Sequence, residues 1–95
     1  MNKYETVFIA NPNLEEEGIK ALIEKFSELI NANGKVEKVD EGGLKKLAYE
    51  INKNTDGYYV VVDFEAKPDF IAELERVYRI TDGIMKFITI RKDEE

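Results

Sequence analysis

The sequence holds no cysteine and no histidine. Without cysteine there are no disulfides and no thiolate metal sites, which fits a reducing compartment. Without histidine there are no Ser-His-Asp triads, Cys-His dyads, His-ligated zinc sites or imidazole proton shuttles. Most common hydrolytic chemistries go with them, and neither a metal nor another cofactor is expected. Long apolar runs are also lacking. No stretch of about 18 apolar residues is available to span a bilayer, and no basic segment followed by an apolar run reads as a signal peptide. A cytoplasmic location with no membrane partner is the expectation.

What is present is charge. Of 95 residues, 36% are charged and 43% apolar, with a net charge of -6. That is enough apolar material for a small core, and the length suits one domain over 1–95. Net acidity speaks against nucleic acid, because phosphate binding rests on Lys and Arg. The distribution matters more than the sum. Residues 14–32 carry Glu15, Glu16, Glu17, Glu24 and Glu28 against Lys20 and Lys25. Residues 42–53 carry Lys45, Lys46 and Lys53 against Glu50, and residues 76–92 carry Arg76, Arg79, Lys86, Arg91 and Lys92 against Asp82. One basic face on an acidic protein is therefore expected.

Tyr4 to Ala10 is β-branched and aromatic, and Asn11-Pro12-Asn13 stops it, so it reads as a strand. Asn13 and Glu16 have the spacing of a capping box. The helix it opens carries Ile19, Leu22, Ile23, Phe26, Leu29 and Ile30 as one apolar stripe and stops at Asn33-Gly34. Residues 35–66 read as a long β-hairpin. Val36 and Val39 fall out of phase in it, Gly42-Gly43 marks a bulge or bend, and Asn54-Thr55-Asp56-Gly57 has the composition of the turn. Beyond the glycines, Lys45 shares a face with Leu47, Tyr49 and Ile51, and Lys46 falls on the opposite face. Pro68-Asp69 opens a second helix with Phe70, Leu74, Val77 and Tyr78 as its stripe, and Thr81-Asp82-Gly83 ends it. Ile84 to Arg91 is a last strand with apolar residues on both faces.

The order βαββαβ predicts an α+β, ferredoxin-like fold, a four-stranded antiparallel sheet with two helices on one face and the other face open to solvent or a partner. Fold alone names no function. The abundant carboxylates are accounted for by a helix start and an acidic tail, and Gly42-Gly43 lacks the spacing of a phosphate loop. Residues 57–64 fail the pattern of an RNA-recognition-motif stacking platform, with Asp56, Tyr59, Val60 and Asp63 at the decisive places. Aromatics are core by default and single strand lysines edge protection. A ligand-binding regulatory domain on this fold, and an acylphosphatase-like enzyme, are the alternatives from other classes. The first has no pocket signal, and the second lacks a glycine-rich anion loop with a paired arginine.

Tyr4-Glu5, Asn11-Pro12-Asn13, the segment Gly43-Leu44-Lys45-Lys46-Leu47-Ala48-Tyr49 before Ile51, and Gly57-Tyr58 together resemble the bacterial small ribosomal subunit protein six family, over essentially the whole chain. The resemblance implies a non-enzymatic structural constituent of the ribosome that binds the central domain of 16S ribosomal RNA together with ribosomal protein eighteen, with no small-molecule substrate. By position, Lys45 and Lys46 match a basic doublet, and Lys3, Lys53, Arg79, Lys86 and Arg91 match other basic places. Tyr4 and Tyr49, in the same motif segments, complete the RNA- or partner-binding set that the resemblance implies. Asn2 and Met85 stand where members of the family can carry arginine, which implies fewer direct charges on RNA and more reliance on the protein partner.

Overall fold

The computed structural model describes residues 1–51 and 54–92, and the side chains of all of these except 48–51 and 54. Strand β1 (Asn2–Ala10) leads through a single 3-10 turn (Pro12–Leu14) into helix α1 (Glu15–Asn33). The long strands β2 (Gly34–Ile51) and β3 (Asn54–Ala66) follow, then helix α2 (Phe70–Ile80) and strand β4 (Ile84–Arg91). The sheet runs β2-β3-β1-β4, and each neighbouring pair is antiparallel. This is the ferredoxin-like plan that the element order implied.

Alternation along the strands divides the sheet into two faces. Tyr4, Thr6, Phe8 and Ala10 of β1, with Val60, Val62, Phe64 and Ala66 of β3, are buried beneath the helices. The helices answer with Ile19, Leu22, Phe26 and Ile30 of α1 and Phe70, Leu74, Val77 and Tyr78 of α2, each set at helical spacing. An aromatic file binds the layers: ring centroids lie 5.5 Å apart for Phe8–Phe26, 4.4 Å for Phe26–Tyr78 and 4.9 Å for Tyr78–Phe87. Each such pair contributes about 0.5–1.5 kcal/mol beyond the area it buries. Thr6 brings a polar cluster into this core. Thr6 Oγ1 lies 3.0 Å from Tyr78 Oη, 3.0 Å from Thr89 Oγ1 and 3.3 Å from the Ile88 carbonyl. If Thr6 donates to that carbonyl and accepts from the other two hydroxyls, all three are satisfied.

The structure corrects the sequence reading at three places. The side chain that accepts from the turn before α1 is Asn11, not Asn13: its Oδ1 takes the Asn13 N–H at 2.9 Å. Pro12, with its fixed φ, begins the 3-10 turn, so the cap moves to the residue before it. Likewise Pro68 and Asp69 precede α2 as a turn, in which Phe70 N donates to Lys67 O and Ile71 N to Pro68 O. The largest change concerns the hairpin. Ile51 pairs with Asn54, so residues 54–57 belong to β3, and the connection at 52–53 lies outside the described residues. Gly57 serves close packing instead. A Cβ there would come within 2.3 Å of Ile9 Cγ2 and 3.2 Å of Leu47 Cδ2.

The β2–β3 register slips between Val36 and Lys38, again between Glu41 and Gly43, and a third time between Lys46 and Ile51. The second bulge is the one that the glycine pair implied, with Gly43 at φ 81. The first brings Val36 and Val39, opposite Phe64 and Val62, onto the same helix-covered side. Among the described residues no helix is long and apolar enough to cross a membrane.

Candidate functional site

Residues paired across an antiparallel ladder share a face. Lys86 pairs with Ile9, Ile9 with Tyr59, and Tyr59 with Gly43, which makes one row across all four strands on the side away from the helices. Lys45 projects to that same open face, and its Nζ lies 5.8 Å from the centre of the Tyr59 ring. At an exposed site this cation–π contact is worth about 0.5–1 kcal/mol, enough to bias where the amine rests without fixing it. Val7, Ile9, Tyr59, Lys86 and Ile88 line an open depression of about 270 Å³ beside it. Ile88 and Ile90 are 57% and 49% exposed here. This part of the open face is thus an apolar strip with a lysine at either side.

The candidate residues separate into groups. Lys45 and Lys86 meet on the open face around Tyr59. Lys46 pairs with Asp56 and projects to the opposite side of the sheet, so the doublet is split, as its alternation implied. Lys3 is on the open face at the far end of β1, opposite Glu65, and its carbonyl accepts from Lys92 N at 2.8 Å. Arg91 is at the same end of the sheet but pairs with Tyr4 and so projects to the helix-covered side, with Nη2 3.4 Å from Asn2 Oδ1. Arg79 stands on the exposed side of α2, 4.0 Å from Glu75. Tyr4 is buried, with its ring stacked on Phe64 at 5.6 Å and its hydroxyl accepting from Asn2 Nδ2 at 3.3 Å. The Tyr49 side chain and the whole of Lys53 lie outside the described residues.

Part of the positive charge in 76–92 is spent inside the protein. Arg76 forms a two-point contact with Glu73, which raises the guanidinium's pKa and holds the Glu73 carboxyl below the usual range. Lys92 Nζ sits 3.4 Å from both Glu5 and Asp63, and its pKa is raised, first by the Glu5 hydrogen bond and then by Asp63. Among the described residues no group of three or more acidic side chains is arranged to hold a metal ion. The sequence reading missed Tyr59 as part of a site. Its signal was the β3 alternation: Tyr58, Val60, Val62 and Phe64 point one way, and Tyr59, Val61, Asp63 and Glu65 the other, ending in charge.

The family model of ribosomal protein S6 matches residues 3–91. The chain belongs to the ribosomal protein S6 family. Small ribosomal subunit protein bS6 of Clostridium perfringens (strain SM101 / Type A) is 52% identical over 95 residues, covering 99% of this chain and all of the relative. The protein of the same description from Clostridium novyi (strain NT) is 53% identical over the same length and coverage. A crystal structure of 30S ribosomal protein S6 from Thermotoga maritima superposes with a TM-score of 0.91 at 38% identity, covering 96% of this chain and 87% of that one. As a member of the S6 family, the protein is a component of the small subunit of the bacterial cytoplasmic ribosome, a ribonucleoprotein that acts in translation. The family is one of structural ribosomal components.

Proposed function

We propose that the protein has no catalytic role and holds the central domain of 16S ribosomal RNA jointly with ribosomal protein eighteen. The observation that carries this reading is membership of a small-subunit protein family along essentially the whole chain. The geometry supports it in one respect. Lys45 and Lys86, set on a rigid sheet around Tyr59, suit contact with phosphates of a folded RNA, which position a protein without reading base edges. With net charge -6 and only Lys45 and Lys86 set around Tyr59, RNA alone should bind weakly and RNA with the basic partner more strongly.

Pulldown of the full chain from lysate, with and without ribonuclease, tests it. Small-subunit RNA should be recovered in the untreated sample, and ribosomal protein eighteen should remain after digestion. The Lys45→Glu/Lys86→Glu variant should lose RNA by about tenfold or more while keeping its fold. Recovery of neither RNA nor protein eighteen, or an unchanged double variant, would overturn the reading or the role given to these lysines respectively.

A further inference from the structure

The phase of β3 decides which of its aromatic rings reaches the open face. The RNA-recognition-motif pattern sets rings one and three places after its glycine. Here those places hold Tyr58, packed against the core, and Val60, fully buried beneath the helices. Tyr59, at the place of that pattern's small residue, faces outward instead. Gly43 pairs with it across the ladder, and a Cβ at Gly43 would meet nothing within 4 Å, so the residue opposite the ring adds no side chain to cover it. On the other flank Val7, Ile9 and Ile88 floor the depression of about 270 Å³. Lys45 stands at one end, with Nζ 5.8 Å from the Tyr59 ring centre, and Lys86 at the other. Charge of the opposite sign bounds the strip along the strands. Beyond Val7 and Val61, Glu5 pairs with Asp63, and Lys92 Nζ lies 3.4 Å from both.

We propose that this depression takes the base of one unpaired nucleotide of the small-subunit RNA. The base lies flat against Tyr59 and the aliphatic side chains of Ile9 and Ile88, and its flanking phosphates rest on Lys45 and Lys86. The inference rests on the RNA reading above and adds a base to a contact made there through phosphates alone. The charge layout sets the direction of the RNA. Phosphates are favoured along the row from Gly43 to Lys86 and opposed toward Glu5 and Asp63, so the strand crosses the sheet and leaves room for one stacked base. Every base has a π face, so the site adds affinity without reading base edges. A regular duplex cannot use it, because its bases are inside the stack. An acidic peptide would satisfy the lysines, but the residues that carry its carboxylates could not also fill the apolar floor. A nucleotide carries its flat ring and its charges as separate parts.

The test compares two probes of equal charge, tetra-adenylate and the same ribose-phosphate backbone without bases. Each is titrated into the full chain labelled at isoleucine methyls and tyrosine rings. Tetra-adenylate should shift the Ile9 and Ile88 methyl and Tyr59 ring signals through the ring current of the base. The base-free probe should leave those methyls unmoved and bind about tenfold more weakly. Tyr59→Leu keeps apolar bulk without the π face. It should weaken tetra-adenylate by about tenfold and leave the base-free probe unchanged, and Tyr59→Phe should bind as the parent, with thermal midpoints recorded as the fold control. The Tyr59→Leu loss should be the same at low and high salt, since stacking releases no counterions, whereas Lys45→Glu should lower the salt slope. Equal affinity for the two probes, with Lys45→Glu/Lys86→Glu weakening both, would overturn the base site and leave the phosphate reading standing. Methyl shifts from poly-glutamate and none from tetra-adenylate would overturn it in favour of an acidic protein segment. No response to either RNA probe at millimolar concentration would remove RNA from this face altogether.

Discussion

Thr6 shows how one hydroxyl can matter inside an apolar layer. It is fully buried and meets the Tyr78 phenol, the Thr89 hydroxyl and the Ile88 carbonyl, tying α2 to both β1 and β4. Burial drives the Tyr78 phenol far above its usual pKa, an effect the Thr6 hydrogen bond partly opposes. Thr6→Val keeps the shape but leaves the Tyr78 hydroxyl buried with its partner gone, which should cost about 1–3 kcal/mol. Tyr78→Phe removes the hydroxyl instead of orphaning it and should cost less. The double variant should recover part of the Thr6→Val loss, a coupling read as unequal shifts of the urea midpoint at constant slope. Equal losses for both single variants, adding in the double, would show that the three groups do not act together.

At the scale of elements, Gly57 and Gly43 of the hairpin do different work. Gly57 sits against Ile9 and Leu47 with no room for a methyl, and Gly43 has positive φ with nothing within 4 Å of its Cβ direction. Gly57→Ala should therefore cost about 1–3 kcal/mol through overpacking of the β1–β3–β2 contact. Gly43→Ala meets only the backbone penalty of left-handed geometry, about 1–2 kcal/mol. Chemical denaturation gives both values. Amide exchange should place the Gly57 effect on β1 as well as on the hairpin and confine the Gly43 effect to the bulge.

The same elements show what was legible in the sequence. Both helices could be read because Ile19, Leu22, Phe26 and Ile30, and Phe70, Leu74, Val77 and Tyr78, repeat at the helical period. The hairpin turn was misplaced because Asn54-Thr55-Asp56-Gly57 has turn composition, yet its glycine answers to tertiary packing. The bulge near Glu37 had no glycine to announce it. The buried side of β4 was undecidable since Phe87 packs inward while Ile88 and Ile90 face out onto a second apolar surface. Of the candidate site, the opposed projection of Lys45 and Lys46 was readable from alternation. The row from Lys86 to Tyr59 was not, because it depends on the register between strands far apart in the chain.

For the whole molecule the decisive quantity is where charge is left over. Helix α1 begins with Glu15, Glu16 and Glu17, whereas Arg76, Arg79 and Lys92 lie close to their own carboxylates. On a protein of net charge -6, contact with RNA then rests on a small cationic patch. The joint complex with RNA and ribosomal protein eighteen should accordingly lose only about one unit of log K against log salt slope for each of Lys45 and Lys86 reversed. Filter binding across a salt series measures it. A slope unchanged in the double reversal would place the RNA elsewhere on the protein.

The register shifts along β2 bear on how the molecule behaves in a crowd. β2 is one outer strand of the sheet, and an outer strand offers unpaired amides and carbonyls to any extended chain that drifts past. Interrupted three times, between Val36 and Lys38, between Glu41 and Gly43 and between Lys46 and Ile51, its margin presents no regular ladder for a stranger to continue. The irregularity that bends this strand is thus also a guard against mispairing while the chain waits for its place in a larger particle.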